Sequence, residues 1–266
     1  MLSLEDTGQM QSELGVRKEQ LIEDAVTAIS LEWLTGEIRI LTSETNHVRI
    51  IQYTSSRFSE KKLVEVELQA EKLRIVDGRR KHSRIGFNIH TTVLEVYLPK
   101  KKLHSFSMHG VGSHVFVQDL EAAVSRFRLT SSHATISGKY EECEIYAIGS
   151  HYTAEDTVID RLNLRSTSSK VEISGEVSQI NTNATGRGIH IHSTVMPKEI
   201  QSVSTGANVT VAIPDHEGFV LEFKKVSGQF KSDFSITSQG SNYTYKNGGR
   251  SYRAEVRGGQ FFLRKI

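Results

Sequence analysis

Three histidines recur at nearly equal intervals in the middle of the chain. His114, His133 and His151 are separated by 19 and 18 residues. If each interval is one turn of a β-coil, the three imidazoles stack about 4.8 Å apart on one outer surface. Neutral imidazole is a common metal ligand, but a metal site needs converging ligands, and no carboxylate shares this register. We therefore expect a structural ladder, and we predict no metal, no cofactor and no catalytic residue.

The pair His190 and His192 alternates with Ile189 and Ile191. In a strand, residues two apart share one face. The isoleucines supply the inward face, so we expect both histidines to point into solvent.

Acidic residues form a second candidate set. Asp119 and Asp156 take equivalent positions two repeats apart, and Glu141, Glu142 and Glu155 lie close in sequence. Two turns of a β-coil would separate the aspartates by roughly 10 Å, at the long end of the range for an inverting pair of carboxylates. Glycine takes the same position in other repeats, so we expect turn formers. A polysaccharide-active enzyme stays open as the alternative.

The single cysteine, Cys143, stands between Glu142 and Glu144. One cysteine excludes an intramolecular disulfide and a multi-thiolate metal site. Neighbouring carboxylates oppose thiolate formation, so we expect a small strand residue rather than a nucleophile. The chain also lacks a phosphate-binding glycine loop and the serine elbow of the α/β-hydrolases.

Two basic runs occur, one from Arg79 to Arg84 and one from Lys100 to Lys102. Such runs can bind anionic polymers or lipid headgroups. The formal net charge is only +2, and few aromatic residues lie among the basic ones. We therefore expect no nucleic-acid partner and interpret the first run as a solvated hairpin tip.

The elements that position these residues follow from a repeat of about 19 residues. Its markers are His114, His133, His151, Lys170, Gly188 and Asn208. Apolar pairs two residues apart follow the markers: Val115 with Val117, Ala134 with Ile136, Val171 with Ile173, Ile189 with Ile191, and Val209 with Val211. The exception is Tyr152 with Ala154, where either the packing differs or the register slips.

A second set of apolar pairs precedes the markers, so each repeat has at least two strands: Phe106 with Met108, Phe127 with Leu129, Ile145 with Ala147, and Leu162 with Leu164. Strands one repeat apart would pair in parallel around a column of aliphatic side chains. The pattern predicts an all-β, single-stranded parallel β-helix or β-solenoid with rungs of about 19 residues.

We expect one body with four segments. Residues 1–28 are a leader in which Glu13 to Ala28 form a short amphipathic helix. The helix would cap the open end of the solenoid, bind a partner, or belong to a flexible leader. Residues 29–100 form irregular first coils with hairpins, 101–213 the regular rungs, and 214–266 the C-terminal coils and cap. Without a spanning window or a signal peptide, the sequence as written predicts a cytoplasmic protein.

Two segments carry a family resemblance. The stretch ISLEWLTGEIRI at 29–40 and the stretch LEVYLPKK at 94–101 resemble the opening strand and the solenoid entry of the bacterial putative-adhesin domain. This family of unknown function occurs in many Firmicutes, and the resemblance covers residues 29–266. It implies a single-stranded, right-handed β-helix-like fold and, for some members, a link to cell-envelope stress operons. It brings no established active site, and many relatives carry an anchor or signal that this sequence lacks.

These observations predict a non-enzymatic, adhesin-like or scaffold solenoid of unknown ligand, for which a link to the cell envelope or its membrane stays open. Its partner would be a protein or an envelope glycan, or a second copy that joins through the solenoid ends. Two alternatives stay open: a polysaccharide-active β-helix enzyme, and a cytosolic regulatory or self-assembling protein.

Overall fold

The computed structural model describes residues 14–82 and 91–266. Sixteen strands in these residues form one continuous sheet. They are β1 (Gly15–Ile22), β2 (Ala28–Ser43), β3 (Val48–Thr54), β4 (Glu65–Gln69), β5 (Lys72–Val76), β6 (Thr92–Pro99), β7 (Leu103–Thr130), β8 (His133–Ile148), β9 (His151–Thr167), β10 (Lys170–Thr185), β11 (Ile189–Ser193), β12 (Glu199–Ile213), β13 (Phe219–Ser232), β14 (Thr237–Gln239), β15 (Asn242–Tyr245) and β16 (Arg250–Lys265). Two short 3₁₀ helices lie at Glu60–Lys62 and Gly78–His82.

The central strands β7 to β12 wind as a parallel coil, which confirms the predicted solenoid. His114 lies opposite His133, His133 opposite His151, and His151 opposite Lys170. The register therefore does not slip in the third rung. Tyr152 fills the interior instead, with its ring centroid 6.1 Å from that of Phe127.

One corner of the coil explains the alternation between 19- and 18-residue rungs. Asp119 and Asp156 are extra residues at this corner, and Gly138 and Gly175 make the turn in the alternate rungs. Both aspartates are exposed and have left-handed φ values of 53° and 50°. Aspartate tolerates this conformation better than most residues. The prediction of turn formers agrees with this geometry.

A second corner carries a buried ladder of serines: Ser113, Ser132, Ser150 and Ser169. The backbone N–H of Ser132 donates to Ser150 Oγ at 3.1 Å, and that hydroxyl donates to Ile148 O at 2.9 Å. Its neighbours repeat the first bond at 3.2 and 3.0 Å. The hydroxyls of Ser132, Ser150 and Ser169 thus each satisfy backbone groups of two rungs inside the core.

The predicted N-terminal helix over Glu13 to Ala28 is wrong. Gly15–Ile22 is strand β1, which pairs antiparallel with β3. The apolar residues do not form a buried stripe, because Leu21 is exposed while Ile22 and Val26 enter the core. Backbone pairing along the free edge of β3 outweighs the weak helical pattern. The rest of the proposed leader, residues 1–13, lies outside the described residues.

Irregular first coils with hairpins were predicted for residues 29–100, and antiparallel pairs occur there. β4 pairs with β5, and β3 pairs with β6. Strand β2 bends at Thr35 and Gly36, which have left-handed φ values of 30° and 98°. Its first half lies between β5 and β7, and its second half lies between β6 and β7.

A buried ion pair holds the bend in β2. Arg79 and Asp77 have side chains that are only 2% and 0% exposed. The Arg79 guanidinium donates to both Asp77 oxygens, to Thr35 O at 2.7 Å and to Leu34 O, and lies 5.6 Å from the Trp33 ring centroid. The prediction of a solvated tip is therefore wrong for Arg79.

The C-terminal coils are stacked out of sequence order. The sheet runs β12–β16–β13–β15–β14, so the last strand of the chain is inserted beneath β13. Asp215 fixes this arrangement, because it accepts hydrogen bonds from Tyr245 Oη at 2.5 Å, Lys246 Nζ at 3.0 Å and Lys265 Nζ. Those donors hold the pKa of Asp215 well below its usual value. Within the described ranges, no helix has the length and apolarity to span a membrane.

Candidate functional site: columns on the outer faces

The histidine column exists as predicted. The His114 and His133 rings are stacked, with centroids 5.2 Å apart and planes 8° apart. His133 and His151 are 5.8 Å apart and tilted by 53°. Parallel pairing in register produces this spacing, since each ring stands one rung above the next.

Charged residues close the column at its far end. His151 Nε2 lies 3.4 Å from Glu172 Oε2, and Lys170 Nζ lies 2.9 Å from the same oxygen. The hydrogen bond from Lys170 lowers the pKa of Glu172. Partial burial and the neighbouring His114 and His151 lower the pKa of His133. Among the described residues, no three His, Cys, Asp or Glu side chains are placed to hold a metal ion.

His190 and His192 are exposed on the same face, as the alternation predicts. They line a shallow depression of about 460 Å³ together with Glu155, Glu172 and Arg264. The depression is a continuation of the outer face between neighbouring columns.

The acidic candidates do not converge on one another. Asp119 and Asp156 lie at exposed bulges, and Asp119 N–H donates to Ser137 Oγ at 3.0 Å. Glu142 accepts from Asn163 Nδ2 at 3.2 Å and lies 3.7 Å from Arg161 Nη1. Glu141 pairs with Lys102. The carboxylates thus serve corners and ion pairs between rungs.

The lone thiol and the basic runs lie apart from these faces. Cys143 is buried, and burial raises the pKa of its thiol to about 12, so a thiolate nucleophile is disfavoured. In the first basic run, Arg80 pairs with Glu32 and Lys81 with Glu65. Arg84 lies outside the described residues. In the second run, Lys100 and Lys102 have carboxylate partners.

One feature escaped the sequence reasoning: a stack of Arg128, Tyr146 and Arg165 on another outer face. These residues are register partners on β7, β8 and β9. Each guanidinium carbon lies 5.6 Å from the Tyr146 ring centroid. Such distances fall within the range of cation–π attraction. Their spacing of 18 and 19 residues is the repeat itself, so the same alignment that reveals the histidines could have found them.

Neither arginine of this stack is neutralised. In the described part of the chain, no carboxylate lies within ion-pair distance of Arg128 or Arg165, although most arginines have such a partner. In contrast, Arg126 on the same face has a carboxylate partner, since its Nε lies 2.8 Å from Glu144 Oε2. The stack therefore presents two free guanidinium groups to solvent.

Comparison with known proteins identifies the same architecture. The family model described as Toastrack DUF4097 matches residues 26–259. This match confirms the family resemblance that residues 29–40 and 94–101 predict. No curated protein matches the sequence.

Two solved structures illustrate the likeness. A putative adhesin from Parabacteroides distasonis ATCC 8503 is 8% identical, with 95% of this chain and 97% of that chain covered and a TM-score of 0.55. A putative adhesin from Bacteroides fragilis NCTC 9343 is 12% identical, with the same shares covered and a TM-score of 0.40. The likeness to the Parabacteroides structure concerns the fold alone.

Proposed function

This chain belongs to the Toastrack DUF4097 family, and from that premise we propose that it is a non-enzymatic binding module of the adhesin type. The observation that carries the proposal is the alignment of outward side chains into straight columns, one residue per rung. A column presents one outward side chain at each interval of about 4.8 Å. Such a surface matches a partner that is itself extended and repetitive.

The distribution of reactive groups supports binding over catalysis. Acid–base chemistry on a glycosidic bond needs two carboxyl groups that face one substrate, whereas Asp119 and Asp156 occupy separate exposed bulges. A nucleophilic thiol needs exposure and a low pKa, and Cys143 has neither.

We further infer that the extended partner is an envelope glycan and that the protein works at the cell envelope. The fold supports this inference, since the Parabacteroides structure with the same fold is described as a putative adhesin. Cell fractionation tests the location: co-sedimentation with wall or membrane supports it, and recovery only in the cytosolic fraction contradicts it.

Self-assembly through the solenoid ends stays a prediction. In the described residues, no strand pairs with the outer edge of residues 224–232. This edge bears Lys224, Lys225 and Lys231 beside Val226, which is 80% exposed. Lysines on an edge strand oppose strand addition, so the chemistry of this edge disfavours a second copy that adds here.

A retention assay tests the proposed function. Purified protein is mixed with insoluble envelope polysaccharide, and the bound fraction and the reducing ends released are both measured. We expect retention that soluble fragments of the same polysaccharide reverse, with no release of reducing ends. Release that Asp119→Asn or Asp156→Asn abolishes would establish the enzyme instead, and no retention on any envelope polysaccharide would refute the binding module.

A further inference from the structure

We propose that Arg128, Tyr146 and Arg165 form the binding site for an acidic polysaccharide, with carboxylates of its uronic acid units paired to the two guanidinium groups. The inference rests on the proposed function and adds to it the chemical class of the ligand and the residues that select it.

The geometry of the stack favours ligand binding. Tyr146 lies in register between the two arginines, and its ring is 5.6 Å from each guanidinium carbon. The arginines stand two rungs apart, which separates their backbones by about 9.6 Å. The tyrosine fills the gap and restrains both side chains, so little rotamer entropy remains to be lost when a ligand binds.

The charge of the stack favours an anionic ligand. Arg128 and Arg165 are exposed and have no carboxylate partner among the described residues. His109, which faces the same region, has its pKa lowered by partial burial and by the positive charges of Arg80 and Arg128. The surface thus carries a local positive potential, although the formal net charge of the chain is only +2. Guanidinium groups bind carboxylates through paired N–H donors.

The side chains that surround the arginines match the chemistry of a sugar. Asn183 is exposed next to Arg165, one rung further along. Asn181 Nδ2 donates to Asn163 Oδ1 at 3.3 Å, which begins an amide column on the same face. Ile148 is 55% exposed beside the stack, between two threonines in register, Thr130 and Thr167. Amides and hydroxyls match sugar hydroxyls, and the isoleucine matches the C–H face of a sugar ring.

The same features disfavour other polyanions. Single-stranded nucleic acid binds by stacking bases on free aromatic faces, but a guanidinium group from each neighbouring rung already lies over the Tyr146 ring. An anionic membrane surface attracts clusters of about four to eight basic residues, whereas this face offers two unpaired arginines. A carboxylated glycan matches the two free guanidinium groups, the amides and the hydroxyls that lie together on this face.

Isothermal titration calorimetry with a galacturonic acid hexasaccharide tests the proposal. The uncharged control ligand is the same hexasaccharide with its carboxylates methyl-esterified. We expect binding of the acidic form that weakens as salt rises, and at least tenfold weaker binding of the ester. Arg128→Gln and Arg165→Gln should each weaken binding by about five- to tenfold, since charge-assisted hydrogen bonds are lost. The double variant should approach the product of the two effects.

A matched variant separates the site from overall charge. Arg253→Gln removes the same charge from the same face, three rungs beyond Arg165, where Arg253 already pairs with Glu222. We expect less than a twofold change there. Tyr146→Phe should retain most of the affinity, and Tyr146→Ala should lose as much as a single arginine substitution. Because all four residues lie on the surface, circular dichroism of each variant should match the parent.

Three outcomes would overturn the proposal. Equal binding of the acid and its ester would show that the charge of the ligand plays no part. Equal effects of Arg128→Gln and Arg253→Gln would show that the stack is not the binding site. Tighter binding of inorganic polyphosphate with the same arginine dependence would make this a phosphate site. If the double variant still binds glycan in the retention assay as well as the parent does, the arginine site is wrong but the proposed function stands. If no glycan is retained by the parent, both the site and the proposed function are wrong.

Discussion

Removal of the buried Arg79 guanidinium should destabilise the N-terminal coils more than removal of an exposed arginine in the same region. Arg79→Met keeps most of the apolar stem and deletes the group that neutralises Asp77. The buried carboxylate then retains only the N–H of Leu34 at 3.1 Å and that of residue 79 at 3.0 Å. The carbonyls of Leu34 and Thr35 lose a donor as well.

The magnitude follows from these lost contacts. Removing one partner of a buried ion pair costs about 3–5 kcal/mol, because a charge stays buried without compensation. The two N–H donors left on Asp77 place the expected loss at the lower part of that range. The matched control is Arg80→Met, since Arg80 is half exposed and pairs with Glu32 at the surface. Exposed pairs contribute about 1 kcal/mol or less.

Trp33 supplies the assay. It is the single tryptophan of the chain, it is buried, and it lies directly beneath Arg79. Urea unfolding followed by tryptophan fluorescence therefore reports on this end of the solenoid, while far-UV circular dichroism reports on the whole sheet. We expect a large shift of the fluorescence midpoint for Arg79→Met and a small one for Arg80→Met. If Arg79→Met lowers the free energy of unfolding by less than about 1 kcal/mol, the ion pair does not stabilise the bend as inferred.

Three further predictions concern the rungs. Ser150→Ala should lower the free energy of unfolding in urea by about 1–3 kcal/mol, because the buried N–H of Ser132 loses its acceptor. An unchanged free energy would show that the serine ladder does not stabilise the fold. Gly138→Ala should cost at least about 3 kcal/mol, because its φ is 144° and a Cβ would lie 2.1 Å from Leu120 O. Gly206→Ala should cost only about 1–2 kcal/mol, because its φ is 59° and no atom lies within 4 Å; equal losses would contradict the corner geometry. His133 has a lowered pKa in the folded state, so the unfolded chain binds more protons and stability should fall as the pH drops below about 6.5. The melting temperature of His133→Gln should decline less over this pH range. An unchanged decline would show that other groups cause it.

The regular rungs could be predicted because their signal is local and repeated. Apolar residues two apart, recurring every 18 or 19 residues, define both the strand faces and the register. The corner aspartates and glycines carry their own backbone preferences, so Asp119 and Gly138 could be assigned to turns without any tertiary information. The outward column of histidines follows from the same alignment.

The ends of the solenoid could not be predicted, because long-range pairing decides them. No local sequence signal predicts that β16 inserts between β12 and β13. The residues before Ala28 have a weak helical pattern, but they form a strand that pairs with the free edge of β3. Arg79 is buried because Asp77 and two carbonyls of β2 surround it, and these carbonyls lie more than forty residues away. Arg128, Tyr146 and Arg165 follow the spacing of the repeat, but the apolar pairs that define the repeat do not single out these outward residues.

The dependence of affinity on ligand length tests most directly whether this protein recognises an extended partner along its outer face. Calorimetry with galacturonic acid oligosaccharides of increasing length gives the affinity of each. A site spread over several rungs predicts that affinity rises with each added unit and levels off once the chain spans Arg128 to Arg165, with the rise abolished in the double arginine variant. Full affinity for a single sugar unit, or no binding at any length, would contradict the account.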